Sequence, residues 1–274
     1  MALSKRQRAR AIRIGQYALL VVVVVALALS ADWEQVRKAF FNTEIASAMF
    51  PNVITVALKN TIIYTALGFA FGLALGLVLA LMRLSSVAPY RWIAMVYIEV
   101  FRGVPALLVF IAIYYGVPIA FQLQFDPLST VMLALGSVGA AYMAETIRAG
   151  IQAVPKGQIE AARSLGMSSA RATVTIVIPQ AFRIILPPLT NELILLTKDS
   201  SLIYILGLFR EQYELTKFGR ETLSRSPSLT PILIAGLCYL IITLPLGHLS
   251  RYLEKRTGGK KISTPESTGL GVSA

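Results

Sequence analysis

Long apolar segments alternate with shorter polar ones along the chain. A helix needs about 20 residues to cross roughly 30 Å of hydrocarbon. Six apolar segments can supply such a helix, and they lie within 14–31, 53–82, 92–120, 127–147, 184–206 and 230–250. Of the 274 residues, 55% are hydrophobic and 15% are charged, whereas about a quarter are charged in a typical soluble domain. The pattern predicts an all-α integral membrane protein with six transmembrane helices.

The first apolar segment follows five basic residues and no acidic one. A signal peptide has the same charged start, and Ala28, Leu29 and Ser30 resemble a small-residue cleavage site. The apolar core is longer than that of a usual signal peptide, so we favour an uncleaved first helix. The next segment, 32–52, mixes both charge signs with aromatic residues and predicts an external stretch with an interfacial helix.

Basic residues are unevenly distributed between the two predicted sides of the membrane. With the N-terminus inside, the inner polar segments hold 17 Lys and Arg and the outer ones hold 6. The positive-inside rule therefore predicts that both termini and the polar insert 148–183 are cytoplasmic. The net charge of +12 is then a topology signal and an attraction to anionic membrane lipid, and no nucleic-acid partner is needed.

The same pattern divides the chain into three regions. Residues 1–50 contain the basic N-terminus, the first helix and the external segment. Residues 51–250 form a five-helix core that includes the insert, and residues 251–274 are a basic tail predicted to be disordered. Within the core, Gly68, Gly72 and Gly76 recur every four residues and share one helix face, which favours close packing of a second helix, although glycine is also common in membrane helices generally.

Several charged residues lie within or at the ends of the predicted spans, where charge is costly and usually faces a partner or a cavity. Two interpretations remain open. The charges line a solute pathway, or they form ion pairs that hold helices together, Arg102 with Glu99 or Glu192 and Lys198 with Asp199. Pro105 predicts a kink in the third span. The charged residues are Glu99, Arg102, Glu145, Glu192, Lys198 and Asp199.

The polar insert is longer than a turn between membrane helices requires. Residues 157–167 predict a helix with Ile159 and Ala162 towards one side. Leu165 and Gly166 lie towards the same side but are less well aligned, and Glu160 projects. Gly166 fits a left-handed C-terminal cap, and Ser168 or Ser169 fits the N-cap of a second helix that ends near 178, before a proline. This shape suits a rigid element that contacts a cytosolic partner, or a loop that only packs on its own helices.

Four motifs in this region and around it resemble a known family. GQIEAARSLGMS with IPQAFRIILPPL resembles the EAA signature of permease subunits of bacterial ABC importers. AAYMAETIRAGIQAVPKGQ, FRGVPALL and NELILLTKDSSLI are similar to the branch that imports polar amino acids. The resemblance covers about 50–250. Ser200 departs from it, because threonine is usual there.

The resemblance implies a mechanism and a set of partners. The EAA loop would form a coupling helix that docks on a separate cytosolic ATPase, which uses ATP and Mg²⁺. Two permease subunits would form the pathway, and an extracytoplasmic binding protein would deliver the solute. A glutamate- or glutamine-type solute is favoured, and the second permease is expected to be a related chain rather than a second copy. The implied coupling residues are Gly157, Glu160, Ala161, Ala162 and Gly166.

Little in the sequence supports an enzyme. One cysteine, Cys238, and one histidine, His248, predict no metal site and no histidine-based catalysis. The phosphate-loop pattern of an ATPase does not occur, since the glycines and lysines of 258–261 lack its spacing. An ATP-independent secondary carrier is the alternative function; it would predict internal repeats, and none is seen.

Overall fold

The computed structural model of the protein describes residues 4–123 and 125–257, and all regular elements in these two ranges are helices. The longest helix, Ser169–Ile205, ends in a 3₁₀ turn over Ser200–Ile205. In chain order the helices are α1 Lys5–Ser30, α2 Trp33–Phe40, α3 Thr43–Met49, α4 Val53–Leu84, α5 Ala88–Gly103, α6 Ala106–Phe121, α7 Pro127–Gln152, α8 Lys156–Ser164, α9 Ser169–Ile205, α10 Leu215–Leu223 and α11 Thr230–Arg256.

Five of these helices, α1, α4, α7, α9 and α11, are long and apolar enough to cross a membrane. The pair α5 and α6 passes the same test only when taken together, and the two are bent by 110°. The predicted kink at Pro105 is therefore a complete break. Val104 is extended, with ψ 136°, because a residue before proline is kept out of the helical region, and Pro105 has no N–H to continue the helix.

The tightest packing joins α4 and α7 along the three glycines of α4. A Cβ added at Gly72 would lie 3.0 Å from the carbonyl oxygen of Gly136, and one added at Gly76 would lie 3.0 Å from that of Ala140. A Cβ at Gly68 would lie 2.7 Å from the Cβ of Leu135. Since backbone atoms cannot move aside as side chains do, α4 and α7 approach this closely only with glycine at the contact.

We expect Gly72→Val to lower the thermal midpoint of the detergent-solubilised protein, because overpacking costs about 1–3 kcal/mol or more. The matched control is Gly236→Val in α11, where no atom lies within 4 Å of the added Cβ. A thermal unfolding assay on both variants separates the effect of packing from that of losing a glycine. Equal midpoints for the two variants would contradict the account of this contact.

Helix α9 corrects two expectations from the sequence. The second helix of the insert does not end near 178, and the fifth span does not begin near 184, because one helix runs through both. A widened turn over Thr173–Val177 precedes Pro179, and Pro187 and Pro188 lie inside the helix. Prolines are tolerated in membrane helices because widened turns, hydroxyl side chains and neighbouring helices satisfy the backbone groups that they free.

The segments predicted to be external pack at one end of α11. The amide of Leu229 donates to the carbonyl of Ala39 at 2.6 Å, and that of Asn42 donates to the hydroxyl of Thr230 at 3.0 Å. Helix α1, in contrast, is exposed along almost its whole length. Helix α11 continues to Arg256, so the first residues of the tail predicted to be disordered, 251–256, are helical. Residues 258–274, with the glycines and lysines of 258–261, lie outside the described residues.

Candidate functional site

Helix α8 is a short exposed helix held between two long ones. At its C-terminal end the amide of Gly166 donates to the carbonyl of Arg163 at 3.0 Å, and that of Met167 donates to Ala162 at 3.1 Å. Gly166 has φ +87°, so the left-handed cap predicted from the sequence is confirmed. The hydroxyl of Ser168 accepts from the amide of Arg171 at 3.3 Å and caps α9. The turn between α8 and α9 is therefore defined by hydrogen bonds.

One face of α8 is fixed to the rest of the protein. Ala162 is buried and Ile159 packs against the core between α4, α7 and α9. The side-chain amide of Gln180 on α9 donates to Gln158 at 2.6 Å. These contacts make α8 a supported helix whose other face is presented outwards.

The outward face carries most of the residues implied by the EAA resemblance. Gly157, Glu160 and Ala161 are exposed, whereas Ala162 faces inwards. Leu165 is 86% exposed, and here the expectation from the sequence was wrong, because it grouped Leu165 with the buried side. Six residues separate Leu165 from Ile159, which at 3.6 residues per turn places them about 120° apart. Leu165 also follows Ser164, the last residue of α8, so helical spacing no longer fixes the direction of its side chain.

A second group of charges lies about two to three helical turns before α8, between α4 and α7. Arg148 donates to Glu145 from Nη2 at 2.6 Å and from Nε at 3.1 Å, and its Nη1 donates to Gln152 at 2.6 Å. Arg83 of α4 lies on the other side, with its Nε 3.8 Å from Oε1 of Glu145. Of the six charged residues that the sequence places in or at the ends of the spans, Glu145 therefore forms an ion pair in the described structure.

The other pairs considered from the sequence do not form. Among the described residues, no ion pair within 4.0 Å joins Arg102 to Glu99 or Glu192, or Lys198 to Asp199. The guanidinium of Arg102 lies 5.4 Å from the ring centre of Tyr142 instead. Glu99 and Lys198 are exposed. Ion pairing therefore does not account for the acidic residues of α9.

Glu192 and Asp199 instead line a cavity of about 210 Å³ within the helical bundle. Its wall is completed by the break between α5 and α6, at Val104 and Ala106, and by Tyr142 of α7. Two half-buried carboxylates and a tyrosine face one space next to an interrupted helix. Broken helices and paired polar groups at membrane depth are typical of solute sites in transport proteins.

A third polar group lies outside the predicted spans, at the start of α10. The carboxylate of Glu214 is fully buried and accepts from the amides of Thr216 and Lys217 at 2.5 and 2.6 Å and from the hydroxyl of Tyr239 at 3.0 Å. Burial raises the pKa of Glu214 from 4.5 to about 7, against the smaller effect of these hydrogen bonds. This residue joins α10 to α11 and was not singled out by the sequence.

We expect the thermal midpoint of the protein to fall as the pH rises through about 7. The folded state binds the proton of Glu214 more tightly than the unfolded state, so this stabilisation is complete below about pH 4.5 and amounts to about 3 kcal/mol. Glu214→Gln should flatten the pH profile above pH 5, whereas Glu211→Gln, at an exposed carboxylate, should not. Parallel profiles for wild type and Glu214→Gln would show that the buried carboxylate does not titrate in this range.

The fold and the charged cavity together define a helical membrane transport protein, and comparison with known proteins identifies the family. Residues 72–259 match the family described as "Binding-protein-dependent transport system inner membrane component". The chain belongs to this family, as the permease subunit of an ATP-driven amino-acid importer. Such permeases are non-catalytic multi-pass proteins of the inner membrane that work with a separate ATPase and a solute-binding protein, which removes the ATP-independent carrier and the membrane enzyme as alternatives.

Individual proteins that are similar to this chain also come from amino-acid importers. The arginine transport system permease protein ArtQ of Bacillus subtilis strain 168 is 37% identical over 212 residues, which is 77% of this chain and 95% of the relative. The glutamate/aspartate import permease protein GltK of Escherichia coli O6:H1 is 37% identical over 211 residues, 74% of this chain and 91% of the relative. A crystal structure of an amino acid ABC transporter with histidines superposes with TM-score 0.69 at 37% identity, covering 77% of this chain and 96% of the other.

Proposed function

We propose that α8 couples this permease to its ATPase subunit by inserting Leu165 and the exposed face around Glu160 into a groove of that subunit. The observation that carries the proposal is the 86% exposure of Leu165 at the tip of a helix whose other face is fixed. A large apolar side chain surrounded by polar residues is the usual centre of an interface, where a few buried anchors supply most of the binding energy.

The charges and small residues around Leu165 support the same role. Glu160 lies five residues before Leu165, about 1.4 helical turns, and offers a carboxylate to a basic group of the ATPase. Gly157 and Ala161 have little or no side chain, so a partner surface can approach the backbone of α8 closely. A loop that served only to pack on its own helices would turn Leu165 inwards, as it does Ala162.

Site-specific crosslinking tests this assignment. In a background where the single cysteine is replaced, Cys238→Ser, we label Leu165→Cys with a reagent that joins a maleimide to a short photoreactive group, and we expect it to crosslink to a co-purifying ATPase on illumination. The control is Lys255→Cys at the exposed end of α11, where we expect no crosslink to form. Equal crosslinking of both positions, or of neither while the ATPase is present, would refute the docking role of α8.

For the solute, the cavity between α5, α7 and α9 supports an amino acid that carries extra positive charge. We propose that Glu192 and Asp199 bind the α-ammonium group and a cationic side chain, and that Arg102, against Tyr142, meets the α-carboxylate. The two carboxylates of the wall disfavour a second negative charge on the solute. A cationic amino acid therefore fits this cavity better than the glutamate type favoured by the sequence.

Competition of uptake distinguishes these solutes. Vesicles that contain the assembled importer should take up labelled arginine, unlabelled lysine or histidine should compete, and unlabelled glutamate should not. Since the binding protein also selects the solute, the assay needs a parallel measurement of solute binding to that subunit alone. Competition by glutamate without competition by lysine would contradict the proposed charge preference of the cavity.

The remaining features of assembly are proposals of the same kind. We propose six spans, with α5 and α6 forming one broken span and with α8 and both termini in the cytoplasm, because the basic residues concentrate there. The division into 1–50, 51–250 and 251–274 follows from this topology.

A related second permease is the expected partner, since α1 and its connection add an exposed helix to the core. Anionic lipid would contact the basic N-terminus, and ATP and Mg²⁺ would bind the partner ATPase.

A further inference from the structure

The side chain of Arg83 is in an unusual position at the inner end of the α4–α7 contact. Its Nε atom is buried and has no hydrogen-bond partner. Buried donors are nearly always satisfied, so such an atom calls for an explanation. The acceptor that Nε faces is Oε1 of Glu145, 3.8 Å away, which is too far for a hydrogen bond.

The same oxygen is also held weakly from the other side. Oε1 of Glu145 accepts from Nε of Arg148 at 3.2 Å, while the shorter contact of that arginine, 2.6 Å from Nη2, goes to Oε2. Oε1 thus lies between two guanidinium groups, with Nε of Arg148 within hydrogen-bond distance at 3.2 Å and Nε of Arg83 farther away at 3.8 Å. A small rotation of the carboxylate, without any movement of the close-packed helix backbones, would exchange one partner for the other.

We propose that Glu145 is a positioning residue that changes partners during the transport cycle, binding Arg148 in the state described here and Arg83 in the opposite state. This inference rests on the proposed coupling through α8. Arg148 also holds Gln152, the last residue of α7, and α8 begins four residues further on. A displacement of α8 by the ATPase therefore acts on Arg148 first, while Arg83 belongs to α4 and stays with the glycine contact.

The exchange explains why a buried donor is left without a partner. In the opposite state Nε of Arg83 donates to Glu145, which accounts for the position of this arginine beside the carboxylate. In each state one of the two arginines donates to Glu145 while the other lacks that acceptor, so the exchange breaks one contact and forms another. A ligand with differential affinity for the two states then shifts the equilibrium between them.

Double-mutant cycles on the purified importer complex test the exchange. The variants are Glu145→Gln, Arg83→Gln, Arg148→Gln and the two doubles that contain Glu145→Gln. Thermal midpoints are measured without nucleotide and with ATP and vanadate, which arrest the ATPase. We expect Glu145 to couple to Arg148 in one nucleotide state and to Arg83 in the other, each by roughly 2–4 °C beyond additivity for a chain of this length.

A matched control is Arg91→Gln, made alone and together with Glu145→Gln. Arg91 donates only to the backbone carbonyls of Ser85 and Ser86, so it should couple to Glu145 in neither state. Coupling of Glu145 to Arg83 that is equal in both states, or zero in both, would overturn the exchange. Loss of assembly in Arg83→Gln without such coupling would instead show that Arg83 binds another subunit. If no ATPase co-purifies with wild type, the proposed function fails and this inference falls with it.

Discussion

Replacing Leu165 by aspartate is expected to reduce ATP-driven solute uptake at least about tenfold, because truncating a central anchor of an interface costs about 2 kcal/mol or more. The change places a charge where the proposed groove is apolar. Leu165 is 86% exposed, so the folding of the permease itself should be unaffected. Uptake into vesicles and the ATPase activity of the complex are the measurements.

The control for this prediction is Leu165→Met, which keeps an apolar side chain of similar volume and should retain most of the activity. Thermal midpoints of both variants should equal that of wild type. Normal uptake in Leu165→Asp would contradict the docking of α8 through this residue. A lowered midpoint together with lost uptake would indicate a structural role instead.

Removing the negative charges of the cavity is expected to lower uptake by a similar factor, but by weakening the binding of the solute rather than the docking of the ATPase. Asp199→Asn and Glu192→Gln should each lower uptake about tenfold to a hundredfold, since a hydrogen bond to a charged group contributes about 1.5–3 kcal/mol. The ATPase should still co-purify with both variants, because α8 is unchanged. The measurement is the initial rate of uptake of a cationic amino acid.

Lys198→Gln supplies the control, since Lys198 is adjacent to Asp199 but exposed and absent from the cavity wall. It should transport at nearly the wild-type rate. A stronger effect in Lys198→Gln than in Asp199→Asn would place the solute on the other side of α9. It would also restore Lys198 as a pathway residue.

The sequence predicts local features of this protein, such as helix caps, better than features that depend on how distant parts of the chain pack together. The left-handed cap at Gly166 and the N-cap at Ser168 follow from residue type and spacing alone, and the structure contains both. The length of α9 was mispredicted, because Pro179, Pro187 and Pro188 indicate breaks in water but are tolerated where neighbouring helices satisfy the backbone. The break at Pro105 was foreseen only as a kink, since its angle depends on how α6 packs.

Contacts between charged side chains within the helical bundle were predicted least well. Spacing of three or one residue suggested the pairs of Arg102 with Glu99 and of Lys198 with Asp199, yet neither forms. Of the six predicted charges, Glu145 forms ion pairs instead, with Arg148 at the end of α7 and with the more distant Arg83 of α4. The buried position of Glu214 depends on contacts with Tyr239, 25 residues away, which no local pattern reveals.

Gentle-detergent affinity purification of wild type and Glu160→Lys, followed by an ATPase assay on the eluate, directly tests the coupling of the permease to its ATPase through α8. We expect an ATPase subunit to co-purify with wild type, and in Glu160→Lys we expect it to be lost or to stop responding to solute. Glu160 is exposed and its replacement should leave the permease folded. An ATPase that remains bound and fully coupled in Glu160→Lys would contradict the role of α8.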